Sequence, residues 1–133
     1  MKRCLLISES SGDPWVGALL SGLSKLDVEV MRIAKSEIAL TYWGGYDLVI
    51  VDASVTTDLR SLISATRARD RSVRIAVFSA VADWRRAREA MLAGAVDYAL
   101  KSLDEIQIVG TLKRDLFQNV PLVVPATSEV SGG

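Results

Sequence analysis

The chain has 133 residues, half of them hydrophobic, and its 16 basic and 16 acidic side chains cancel. That length supports one domain around one core, and so apolar a composition excludes intrinsic disorder. Zero net charge offers no global attraction to nucleic acid or to an anionic membrane, and the absence of histidine removes imidazole bases, Ser-His-Asp triads and the usual zinc sites.

The remaining chemistry is that of carboxylates, hydroxyls and amines. Cys4 is the only cysteine and lies within an apolar run, where it reads as a small buried hydrophobe. With no internal disulfide to form, an intracellular, reducing compartment is expected. The apolar stretch after Met1-Lys2-Arg3 is too short for a signal peptide, and no run approaches the roughly 18 residues of a membrane span. A cytoplasmic protein without membrane contact is expected.

Cys4 to Ile7 reads as a first buried strand, ending in the polar loop Ser8 to Gly12. Asp13-Pro14 has the form of an N-cap with proline in the first turn, and Trp15, Val16, Leu19, Leu20 and Leu23 recur at helical spacing behind it. Val28 to Ile33 alternates as a second strand nearer an edge. Ser36 to Trp43 reads as a weaker helix, stopped by Gly44-Gly45.

The run Tyr46 to Ser54, YDLVIVDAS, is the clearest strand, apolar from Leu48 to Val51 and ending on Asp52. A third helix is predicted from about Asp58 to Ala68. Val73 to Phe78 forms a fourth strand ending at Ser79, and a fourth helix runs from about Asp83 to Ala93 with Ala87, Ala90, Met91 and Leu92 on its apolar side. Gly94 stands where a helix-terminating glycine would. Tyr98 to Leu100 is a short fifth strand leading into Lys101. Ser102 and Glu105 have the spacing of a capping box before a last helix with Ile106, Ile108, Val109, Leu112 and Leu116 apolar.

The pattern predicts an α/β protein: a doubly wound, five-stranded parallel sheet with five helices on its two faces, a flavodoxin-like three-layer sandwich. Residues 1–118 form the domain, and 119–133 read as a flexible tail or linker. In such a sheet Glu9, Asp52, Ser79 and Lys101 all collect at the carboxyl edge, where open α/β sheets bind ligands. Taken alone, Asp52 is equally a turn-starting acid, Ser79 a strand-end hydroxyl, Lys101 a solvated lysine and Glu9 an exposed loop acid. Together they suit phosphoryl transfer to a carboxylate, with Asp52 as nucleophile and Lys101 and a magnesium ion as cations.

The segments YDLVIVD, AVFSA around Ser79 and AGAVDYALKS resemble those of the receiver domains of bacterial two-component response regulators, over residues 2–117. The resemblance implies that Asp52 is the phosphoacceptor, Ser79 the switch hydroxyl, Tyr98 the switch aromatic and Lys101 the family lysine. It also implies metal ligation by Glu9, Asp52 and the Ser54 carbonyl. A sensor histidine kinase or small acyl phosphate would be the phosphoryl source. The fourth helix, fifth strand and fifth helix, the α4-β5-α5 face of such domains, would meet partners or a second copy.

The departures are specific. Ser8-Glu9 stands where two adjacent acids are usual, Ala53 to Thr57 replaces a Met-Pro segment, and Ser102 replaces the proline after the lysine. An atypical receiver with weak magnesium binding is therefore expected, a regulatory phosphoprotein rather than an enzyme. Two alternatives stand beside it. One is a pseudo-receiver that docks partners without phosphorylation; the other is a flavodoxin-like flavin or nucleotide binder using Ser8 to Gly12 as a phosphate loop. The arginines at 67, 69, 71 and 74 read as a solvated basic face.

Overall fold

The computed structural model describes residues 1–9, 12–41 and 44–117. Five strands, β1 (Arg3–Ile7), β2 (Glu29–Ile33), β3 (Leu48–Asp52), β4 (Arg74–Ser79) and β5 (Asp97–Leu100), form one sheet in the order β2-β1-β3-β4-β5. Every pairing is parallel, so each crossover must travel back over a face of the sheet. Three α-helices do this, α1 (Pro14–Lys25), α2 (Leu59–Arg69) and α3 (Trp84–Ala93), while α4 (Glu105–Phe117) follows β5. The remaining crossover, from β2 to β3, carries a 3₁₀ helix at Lys35–Leu40.

The pleat divides the core into two layers. Leu5, Ile7, Val49, Val51, Ile75 and Val77 face Ile38 of the 3₁₀ segment and the inner sides of α2 and α3. Cys4, Leu6, Leu48, Ile50, Ala76 and Phe78 face Trp15, Val16, Leu19 and Leu23 of α1 and Ile108, Leu112 and Leu116 of α4. Because β3 is central, all of its residues are buried, which is why its sequence is a continuous apolar run instead of an alternation. Edge strand β2 is largely exposed apart from Ile33, matching its alternating sequence. Asp52 is in phase with Leu48 and Ile50 and is paired across the sheet with Phe78.

Several helix ends follow from side chains legible in the chain. Asp13 accepts from the Trp15 amide at 2.9 Å with Pro14 in the first turn, Asp58 caps α2 through the Ser61 amide, and Asp83 caps α3 through the amides of Arg85 and Arg86. Gly94 closes α3 with φ +114°, a left-handed conformation that favours glycine.

Other expectations are corrected. The segment expected as a helix from Ser36 to Trp43 is the 3₁₀ helix ending at Leu40; Ile38 is its single buried residue and Leu40 is exposed, so no apolar stripe supports a full α-helix. Tyr42 and Trp43 lie outside the described residues. Ser102 and Glu105 make no capping box. Ser102 accepts from the Asp104 amide and Asp104 caps α4 through the Ile106 amide, while Glu105 leaves the helix end to meet Ser21 and Lys25 at 3.0 Å each. Of the expected apolar side of α3, only Ala90 is buried; Leu92 is exposed.

The basic run from 67 to 74 is not uniformly solvated. Arg67 donates to the carbonyls of Val73 and Gly94, tying α2 to the residue before β4 and to the end of α3, and Arg74 donates to the Asp115 carbonyl at 2.9 Å. The expected tail, 119–133, lies outside the described residues, as does Gln118. Among the described residues no helix is long and apolar enough to cross a membrane. Cys4 is fully buried, and burial pushes its thiol pKa up, consistent with a packing role.

Candidate functional site

Strand ends fix the site. Asp52 closes β3, Ser8 follows β1, Ser79 closes β4 and Lys101 follows β5. Leu100 pairs with Ser79, and the Lys101 amide donates to the Ser79 carbonyl at 2.8 Å, so the lysine is delivered beside the ends of the central strands.

Asp52 has no exposed surface. Its Oδ1 accepts from the Ser54 amide at 3.0 Å and the Ser54 hydroxyl at 2.8 Å, and lies 2.9 Å from Lys101 Nζ. A buried carboxylate is tolerated only when paired and hydrogen-bonded, and this oxygen receives all the compensation. Its Oδ2 has no hydrogen-bond partner among the described residues, nor does the buried Ser8 hydroxyl on the adjacent strand end. Such unpaired buried polar groups are rare in native proteins.

Lys101 serves two acids. Its Nζ lies 3.2 Å from Asp13 Oδ2 as well as against Asp52, and sits 4.7 Å above the centre of the Trp15 ring. Burial works to lower the lysine pKa, but hydrogen bonds and charge from Asp52 and then Asp13 outweigh it and hold the ammonium above its ordinary value. Asp13 is held below the usual carboxylate range, chiefly by the Trp15 amide; burial opposes this and Lys101 adds to it.

The predicted residues divide. Asp52, Lys101 and Ser54 are brought into direct contact. Ser79 is buried, but its hydroxyl accepts from the Val81 amide at 3.3 Å and makes no bond to Asp52. Tyr98 is half-buried, and its hydroxyl is buried without a partner among the described residues. Glu9 stands at the end of β1 with its residue exposed. Among the described residues there is no group of three or more acids, cysteines or histidines suited to hold a metal.

Two members of the site were not recognised as such in the sequence. Asp13 was legible only as a helix cap and Trp15 only as core. The signal for Asp13 was weak: an acid four residues beyond Glu9 reaches Lys101 only because α1 begins at the carboxyl edge.

No protein-family model matches the sequence, and no curated protein matches it. Solved structures do. A response regulator from Thermotoga maritima shares 25% identity, with 87% of this chain and 98% of that one aligned at a TM-score of 0.73. The chemotaxis response regulator CheY4 of Vibrio cholerae shares 20%, over 87% of this chain and 99% of that one, with a TM-score of 0.72. A Burkholderia pseudomallei response regulator, solved with a phosphorylated aspartic acid, a calcium ion and citrate, shares 24%, over 90% of this chain and 68% of that one, with a TM-score of 0.70. The chain has the receiver fold. These structural neighbours are response regulators.

Proposed function

We propose that the protein is an atypical receiver module of two-component signalling, in which Asp52 accepts a phosphoryl group from a cytoplasmic sensor kinase or a small acyl phosphate. The observation that carries this reading is the asymmetry of Asp52: one oxygen is held by Lys101 and Ser54, and the other is buried without a partner. In the transfer, Oδ2 would form the new bond to phosphorus as the bond from phosphorus to the donor breaks, the donor keeping that electron pair. Lys101 would then neutralise charge on the phosphoryl oxygens, and catalysis would consist mostly of positioning. Ser79 would leave the Val81 amide to donate to a phosphoryl oxygen, with Tyr98 as its switch partner. Phosphorylation would in this way bias a two-state surface.

The donor set fits a weakly held magnesium ion. Asp52 Oδ2, the Ser8 hydroxyl and the Ser54 carbonyl are oxygen donors of the type that a hard cation takes with several waters. Only one of these donors carries a formal charge, and exposed Glu9 would have to turn inward to add another. When bound, the ion would supply extra neutralisation of the phosphoryl oxygens. The partner-facing surface would be α3, β5 and α4, the face expected from the fourth helix onward. There Trp84, Leu100, Leu103 and Ile106 are exposed, and they would serve a signalling partner or a homodimer.

The weak acid complement favours a second reading, a pseudo-receiver that docks constitutively. Incubation with magnesium and acetyl phosphate, followed by intact mass, and with beryllofluoride, followed by amide shifts, separates the two. A phosphoryl adduct absent from Asp52→Asn, with shifts at Ser79 and Lys101, is expected. An unmodified mass and an unchanged spectrum would leave the docking reading. The flavin or nucleotide alternative is opposed at the helix it needs, because Asp13 already occupies the α1 N-terminus; Ser10 and Ser11 of its loop lie outside the described residues.

A further inference from the structure

The turn that carries Ser54 is gripped from outside the acceptor strand. Residues Ala53–Val55 form a short 3₁₀ turn, and the half-buried Arg86 of α3 reaches it with both ends of its guanidinium. One terminal nitrogen donates to the Ala53 carbonyl at 3.1 Å and the other to the Thr56 carbonyl at 2.5 Å. A planar fork bonded at two points fixes orientation as well as distance, which a lysine cannot do. Both partners are backbone carbonyls, so no carboxylate cancels the charge at these contacts. The two carbonyls flank Ser54 and Val55, the residues that lie between the grip points.

We propose that Arg86 is a positioning residue for the acceptor turn. It holds Ala53–Thr56 so that the Ser54 amide and hydroxyl stay on Asp52 Oδ1 and away from Oδ2. It also links the turn to α3, whose start is fixed independently by Asp83. Movement of the turn on occupation of Asp52 is thereby transmitted to the helix that exposes Trp84. The second half of this inference rests on the phosphoacceptor reading; the first does not.

The test compares Arg86→Met, which keeps the aliphatic stem, with Arg86→Lys, which retains one cationic donor. In the free protein, Arg86→Met is expected to shift the Ser54, Val55 and Thr56 amides and to speed exchange of the Ser54 amide tenfold or more, with β1 and β2 amides unmoved. With beryllofluoride and magnesium, its apparent affinity should fall at least tenfold, and Arg86→Lys should recover part of both effects. Unchanged turn amides in Arg86→Met would overturn the inference. So would a loss spread equally over β1 and β2, which is what a purely structural arginine would give. If the wild-type protein binds no beryllofluoride, the phosphoacceptor reading and the signal to α3 both fail, while exchange in the free protein still decides the grip on the turn.

Discussion

At the amino end of the sheet, Arg114 pairs with Asp97 at the start of β5, its Nε lies 3.7 Å from Asp115, and Arg74 donates to the Asp115 carbonyl. At the carboxyl end, among the described residues, Lys101 alone stands between Asp52 and Asp13. Each of these two clusters holds two carboxyl groups and a buried carboxyl oxygen without a partner among the described residues, but the cations differ. Guanidinium groups at the amino end are tied into backbone and side-chain bonds that brace α4 against the sheet. The Lys101 ammonium at the carboxyl end is largely buried, lying between two carboxylates and over the Trp15 ring. The two clusters thus differ in their cations: guanidinium groups tied to carbonyls and carboxylates at one, a single ammonium shared by two carboxylates at the other.

Removing the shared cation should give the largest effect. Lys101→Met leaves a fully buried Asp52 without its counter-charge and should cost about 3–5 kcal/mol of stability, measured from denaturant midpoints. Adding Asp52→Asn to it should restore part of that loss. If Lys101→Met is as stable as wild type, the pairing is not what makes the buried carboxylate tolerable.

The next test is at the amino end. Burial, then the neighbouring Asp97 carboxylate, raises the Asp115 pKa to about 7 against the opposing pull of Arg114 and Arg74. A folded-state pKa above the unfolded one means that the native protein binds the proton more tightly. Its contribution is therefore fully present below about pH 4 and is lost as pH rises through about 7. Asp115→Asn should abolish this part of the pH dependence, which is on the order of 2–4 kcal/mol across the window. Parallel stability profiles for the two proteins between pH 4 and 8 would refute the assignment.

A smaller effect is expected where neither end is touched directly. A Cβ on Gly94, at φ +114°, would lie 2.9 Å from Arg67 Nε. Gly94→Ala should therefore cost about 1–3 kcal/mol through backbone strain and displacement of the arginine. Thermal melts check the loss, and an unchanged acyl phosphate reaction would show that this brace is independent of Asp52.

Much of this was legible before the structure. Continuous apolar runs identified the central strands, and alternation marked β2 as an edge, because burial on two faces or one dictates those patterns. Asp13-Pro14, Asp83 and Gly94 marked helix ends through local hydrogen bonds and backbone preference. Asp52 and Lys101 were legible as a pair, since strand ends of a parallel sheet share one edge. The weak β2–β3 crossover was misread because its segment has enough helix formers but, among the described residues from Ser36 to Thr41, one buried anchor, and Glu105 was misassigned because Lys25 and Ser21 of another helix compete for its carboxylate.

By itself the sequence determined the strand and helix order, the parallel sheet and the residues at its carboxyl edge, because these follow from periodicity and from rules that act over a few positions. Only the tertiary structure decided that Asp13 shares Lys101, that Trp15 lies under that lysine, that Arg86 grips the Asp52 turn, and that Asp97, Arg114 and Asp115 meet at the opposite edge. Those contacts join residues 17 to 88 positions apart, apart from the adjacent Arg114 and Asp115. They depend on where helices settle on the sheet, a matter of packing that no short stretch of the chain encodes.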